Sequence, residues 1–148
     1  QGYYGDKAMT DAVMKDGWYI TGDIGKLDKH GFLHITDRMA RFSKIGGEMV
    51  PHGKIEDAIE AIITNDKAAT VIAVPDAAKG EKLCVLTTET VLTPKEIHAA
   101  LKQTELPNLW IPSAECIFAV EHLPELPTGK RDLRAAKEMA GELVGPRE

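Results

Sequence analysis

The spacing of hydrophobic positions changes character twice along the chain. Near the start the apolar residues are sparse and often aromatic: residues 10–15 read as a short helix ended by Gly17, and residues 18–24 as an extended, partly buried segment. Residues 24–27, a turn at Asp28-Lys29-His30-Gly31, and residues 32–36 then alternate as a hairpin does. Residues 44–50 predict a second, tighter hairpin or a loop around Gly46-Gly47. From Gly53 the period becomes helical. Ile55, Ile59, Ile62 and Ile63 form one stripe, with Glu56, Asp57 and Glu60 expected to face water and to bring acid into the helix's first turn.

Residues 68–74 and 83–88 are runs rich in β-branched side chains, predicted to pair as strands, with Pro75-Asp76 stopping the first and a loop over 77–82 between them. Thr93-Pro94-Lys95-Glu96 supplies the cap, the early proline and the N3 glutamate of a helix start, and Ile97 and Leu101 give that helix its apolar face. A further strand is expected over 114–120 and a last helix over 132–143, after a proline-punctuated loop at 122–130. This order predicts an α+β fold: a small mixed sheet with packed helices, preceded by a short β-hairpin segment. The change of pattern near Ala40 divides the chain into residues 1–39 and 40–148.

With 148 residues, 43% hydrophobic and 28% charged, the composition is that of a globular chain. A formal charge of -5 argues against nucleic acid and anionic lipid as partners. No apolar run approaches the roughly 20 residues that span a bilayer, and residues 1–6 lack the basic and apolar regions of a signal peptide. A cytoplasmic protein is expected, and a chain that begins with Gln1 reads as a piece of a longer one. Cys84 and Cys116 lie in apolar stretches and read as buried thiols rather than a disulfide or metal site.

Three polar constellations interrupt this pattern. In Thr21-Gly22-Asp23 the carboxylate is suited to accept hydrogen bonds from a diol, with a glycine that permits close approach. Arg38, Arg41 and Lys44 bring positive charge ahead of Gly46-Gly47, whose backbone freedom suits a narrow ligand. Leu126-Pro127-Thr128-Gly129-Lys130-Arg131 holds one long cation, Lys130, on a constrained loop. It is not a Walker A loop, since Arg131 stands where that motif needs Ser or Thr. Singly, each has an ordinary reading: a strand-end turn, a hairpin turn among solvated cations, a surface lysine before a helix.

In order, residues 18–24 (Trp18-Tyr19-Ile20-Thr21-Gly22-Asp23-Ile24), Asp37-Arg38 followed by Lys44-Ile45-Gly46-Gly47-Glu48, and Pro127-Thr128-Gly129-Lys130 resemble the late motifs of the adenylate-forming superfamily. That superfamily includes acyl-CoA synthetases, peptide-synthetase adenylation domains and luciferases, and the similarity runs over nearly the whole chain. Residues 41–52 and 107–112 look most like the synthetase part of the bacterial acyl-(acyl-carrier-protein) synthetase/2-acylglycerophosphoethanolamine acyltransferase.

The resemblance implies a fragment of an enzyme that uses ATP to turn a fatty acid into an acyl-adenylate. The acyl group then passes to the pantetheine thiol of acyl carrier protein or CoA, feeding lysophospholipid reacylation if the subfamily resemblance holds. It implies that Asp23 binds the ribose hydroxyls, that Arg38 lies near ribose or phosphates, and that Lys130 bridges the carboxylate and the α-phosphate. Gly46 and Gly47 would meet the pantetheine arm. Ala40 falls at the hinge, where the family commonly has Asp or Lys. Residues 1–39 would end a large N-terminal AMP-binding domain and residues 40–148 would form a mobile lid. Mg2+ would be held by residues outside this chain, and membrane association of the parent protein stays open. The family's Ser/Thr/Gly-rich phosphate loop and its adenine and acyl pockets do not occur in these residues, so the fragment alone is expected to be inactive.

Other chemistries find less support. His52 and Asp57 have the spacing of glycerolipid acyltransferases but sit at a helix start, where capping or coincidence explains them. Ser43 and Ser113 are the only serines and neither lies in Gly-x-Ser-x-Gly. His30 and His34 lack a third metal ligand nearby and read as solvated. The alternative of a different class is a non-catalytic module in which Arg38, Arg41, Lys44 and Lys54 dock an acidic carrier protein.

Overall fold

The computed structural model describes residues 2–63, 68–88 and 91–145. The chain forms two compact units, residues 1–40 and 41–148.

In the first unit Asp6 caps α1 (Lys7–Val13), its carboxylate accepting the Met9 N–H at 2.8 Å. The helix therefore starts before the expected residue 10, and it stops at Val13 rather than Lys15. Asp16 and Gly17 both take positive φ, 52° and 83°, and close a two-residue turn between β1 (Met14–Lys15) and β2 (Trp18–Tyr19). The expected partial burial of residues 18–24 is not met at its aromatic end: Trp18 is 79% exposed. One short helix and two hairpins offer too little apolar surface to cover it.

The predicted hairpin forms from β3 (Asp23–Leu27) and β4 (Leu33–Arg38), paired antiparallel with a register shift between Ile24 and Gly25. Asp28 organises its turn by accepting the N–H groups of His30 and Phe32. His34 meets the same carboxylate at 3.1 Å, so this histidine is paired with Asp28 rather than merely solvated. The His34 contact, then the Phe32 N–H, holds the Asp28 carboxyl below its usual pKa.

The second unit opens with β5 (Phe42–Ile45) and β6 (Glu48–Pro51), the tight hairpin expected around Gly46-Gly47. It continues directly into α2 (His52–Ile63), where Ile55, Ile59 and Ile63 are buried. Because the helix starts at His52, its first turn holds no acid, contrary to expectation. Glu56 does not face water either; it flanks the buried stripe with its side chain only 13% exposed.

β7 (Ala69–Asp76) and β8 (Gly80–Thr87) pair antiparallel, both longer than expected. Pro75 continues β7 instead of stopping it, which an edge strand allows. α3 (Pro94–Leu101) carries the full capping box at Thr93 and Glu96. Residues 114–116 form a 3₁₀ turn, so β9 is only Ile117–Ala119, parallel to β8. α4 (Leu133–Val144) is capped by Asp132, which accepts the Arg134 and Ala135 N–H groups.

The three-stranded sheet is mixed and is covered on both faces. Val71, Leu83, Val85 and Ile117 pack with Ile55, Ile59, Ile97 and Leu101 of α2 and α3. Ile72, Val74, Cys84, Leu86 and Cys116 pack with Ala136 and Ala140 of α4. Double coverage explains why β7 reads as a continuous apolar run rather than an alternation. Both cysteines are free and buried; burial, then the neighbouring Cys116, raises the Cys84 thiol to about 12.

Candidate functional site

Asp23 opens β3 and Arg38 closes β4, and the register makes them direct cross-strand partners. Arg38 Nε donates to Asp23 Oδ1 at 2.9 Å, with the carboxylate 24% exposed and the guanidinium 69% exposed. The turn before Asp23 is held in place: Gly22 takes φ +74°, its carbonyl accepts the Met39 N–H at 2.8 Å, and Thr21 Oγ1 accepts the Asp23 N–H at 3.1 Å. A partly solvated carboxylate beside a cation can accept hydrogen bonds from hydroxyl groups while the cation meets an anion. Sequence reasoning named both residues, and the hairpin brings them together.

Gly46 and Gly47 form the apex of the β5–β6 hairpin with φ +56° and +94°. A Cβ on Gly46 would come no closer than 3.9 Å to Leu109, and one on Gly47 would meet nothing within 4 Å. Within this unit the glycines are required by backbone conformation, not by crowding.

Lys130 sits on a loop that closes on itself. The Leu126 N–H donates to the Lys130 carbonyl and the Gly129 N–H to the Leu126 carbonyl, at 2.8 and 2.9 Å. Glu125 and Arg131 face each other across it, paired at 2.5 Å with the Arg131 side chain 20% exposed. Arg131 thus turns inward, while Lys130 is exposed and has no ion pair among the described residues. The loop runs into α4, so its end is anchored on the sheet.

The Gly46 N–H donates to the Lys79 carbonyl, whereas the Lys130 loop is bonded within residues 124–132, so the two share no backbone bond. Ala40 lies in a 3₁₀ turn over Met39–Arg41, at the end of the first unit.

Sequence reasoning missed four polar contacts. Arg41 pairs with Glu56 Oε2, and Glu56 Oε1 accepts the Val71 N–H at 2.8 Å. Ser43 Oγ and His52 Nε2, both buried, lie 2.5 Å apart, so His52 binds Ser43. Glu81 Oε2 accepts the Lys44 N–H at 2.9 Å. The only advance signal was the position of Glu56 beside an apolar stripe. These contacts also change the expected basic patch: Arg38 and Arg41 already have carboxylate partners, leaving Lys44 and Lys54 as its members without an ion pair among the described residues. Among the described residues no group of three or more His, Cys, Asp or Glu is placed to hold a metal ion.

No protein-family model matches the chain. It is similar to the probable acyl-activating enzyme 10 of Arabidopsis thaliana, 36% identical over 96% of this chain and 27% of that protein. It is also similar to the 2-succinylbenzoate–CoA ligase of Listeria monocytogenes, 34% identical over 93% of this chain and 29% of that protein. Among solved structures, ATP-bound MatB from Rhodopseudomonas palustris superposes with a TM-score of 0.79 at 25% identity, covering 97% of this chain and 29% of that one. The chain thus spans less than a third of the length of these relatives.

Proposed function

In sequence and fold this chain is a C-terminal portion of the adenylate-forming acyl-CoA synthetase superfamily, and from that premise we propose that it serves an ATP-dependent acid–thiol ligase. Lys130 acts in the first half-reaction and the Gly46-Gly47 turn in the second. The observation that carries this reading is the Lys130 loop, whose backbone bonds between Leu126, Gly129 and Lys130 and whose Glu125–Arg131 pair fix its shape while the lysine side chain stays exposed and without an ion pair among the described residues.

Forming an acyl-adenylate brings a carboxylate against a phosphate. Two such anions at 4 Å repel by roughly 1 to 4 kcal/mol depending on the effective dielectric, and one ammonium near both offsets that repulsion. Lys130 supplies a compact charge on a long stem, and the Glu125–Arg131 pair keeps the neighbouring guanidinium turned away from it. The carboxylate attacks the α-phosphorus of ATP, taking the adenylyl group and expelling pyrophosphate, and the resulting mixed anhydride is a good acyl donor. Asp23 and Arg38 hold the nucleotide's ribose and phosphate side. The pantetheine thiol then approaches along the Gly46-Gly47 turn and takes the acyl group, releasing AMP.

On this proposal residues 1–39 end the large adenylation domain, residues 40–148 form the lid, and the lid turns about Ala40 between half-reactions. Mg2+ is bound outside this chain. The acid is a fatty acid and the acceptor is CoA or acyl carrier protein. The likeness of residues 41–52 and 107–112 to the acyltransferase-linked synthetases favours carrier protein and lysophospholipid reacylation in the cytoplasm.

The test uses the full-length protein. Lys130→Ala should abolish ATP–pyrophosphate exchange while leaving transfer from supplied acyl-adenylate to CoA intact. Equal loss in both steps overturns the assignment.

A further inference from the structure

The Gly46-Gly47 turn cannot hold its own position. Two consecutive glycines carry the greatest backbone freedom, nothing lies within 4 Å of where a Gly47 side chain would be, and a two-stranded ladder of four residue pairs is marginal alone. Besides the burial of Ile45 and Val50 in the core, restraint comes from the β7–β8 turn and the start of β8. Glu81 Oε2 accepts the Lys44 N–H at 2.9 Å, and the Lys79 carbonyl accepts the Gly46 N–H at 3.3 Å. That turn is itself fixed, since Asp76 Oδ1 accepts the N–H groups of Ala78 and Lys79, both at 3.0 Å. At the far end of the hairpin the buried Ser43–His52 bond secures its base to α2.

Of these contacts, the Glu81 bond is the one in which a side chain holds the backbone of the strand leading into the turn, and its acceptor is a carboxylate. We propose that Glu81 is a positioning residue for the Gly46-Gly47 turn, fixing where that backbone meets the thiol arm and so governing thiol transfer but not acyl-adenylate formation. This rests on the reading of the turn as the pantetheine contact.

The experiment compares Glu81→Ala, Glu81→Gln and Gly47→Val in the full-length protein. It measures pyrophosphate exchange and, separately, transfer from preformed acyl-adenylate to CoA. Losing a charge-assisted bond should slow transfer about tenfold in Glu81→Ala with exchange unchanged. Glu81→Gln keeps an oxygen acceptor and should restore most of the rate. Partial unfolding would lower both steps by the same factor, so the split separates positioning from stability. If Glu81→Ala does not fold, Glu81→Asp, one methylene short of the Lys44 N–H, carries the same expectation. Unchanged transfer, or equal loss of exchange, overturns the role of Glu81. If Gly47→Val blocks transfer while Glu81→Ala does not, only this inference fails; if Gly47→Val also transfers normally, the reading of the turn fails with it.

Discussion

Arg38 and Arg41 stand three positions apart and look alike in sequence, yet their environments differ. Arg38 is mostly exposed and its partner Asp23 keeps solvent access, so that pair is open to a ligand. An exposed ion pair of this kind adds little stability. Asp23→Ala should therefore leave the melting temperature unchanged and weaken nucleotide binding to the full-length protein roughly ten- to a hundredfold, as read by titration calorimetry. Arg41 and Glu56 are mostly covered, and Glu56 also serves the Val71 N–H. Removing that carboxylate leaves the buried Val71 N–H without its acceptor and takes one carboxylate contact from Arg41. Glu56→Ala should destabilise the second unit by about 1–3 kcal/mol in chemical denaturation.

At the scale of elements, caps explain the boundaries that periodicity blurred. Thr93 Oγ1 accepts the Glu96 N–H at 3.3 Å and the Glu96 carboxylate accepts the Thr93 N–H at 2.8 Å, which starts α3 where the sequence predicted. Thr93→Ala should destabilise the unit by about 1 kcal/mol, measured as a lower denaturation midpoint. The Thr93 side chain and then its N–H lower the pKa of Glu96 from its ordinary 4.5. The stability from Glu96 is thus fully present above pH 4.5 and fades as the pH falls through the lower folded value, so the Thr93→Ala difference should shrink in acid. No such signal marked Asp6, whose helix carries no buried residue and little apolar pattern.

For the whole molecule, the sheet of the second unit decides where burial falls. Cys84 lies in the α4-facing cluster, and its thiol titrates near 12 against an ordinary 9.0. The unfolded chain loses this proton first, so stability is full below pH 9 and declines as pH rises toward 12. Cys84→Ala should flatten that decline in urea denaturation measured across the range, and native Cys84 should resist thiol reagents at pH 8.

Local chemistry was enough to determine most elements of the second unit and the polar motifs. The Ile55-Ile59-Ile63 stripe, the Thr93 box, and the turn residues at Asp28-Gly31 and Gly46-Gly47 act within a few residues, and their consequences can be read from neighbours alone. Asp23, Arg38 and Lys130 stood out for the same reason. Only the tertiary structure decided which charges are paired and which remain free. Glu56 reaching Arg41 and Val71, Glu81 reaching Lys44, and Ser43 closing on His52 join residues 9 to 37 positions apart. Such pairs depend on which faces the sheet and helices bring together, and a one-dimensional pattern carries no record of distance across a fold.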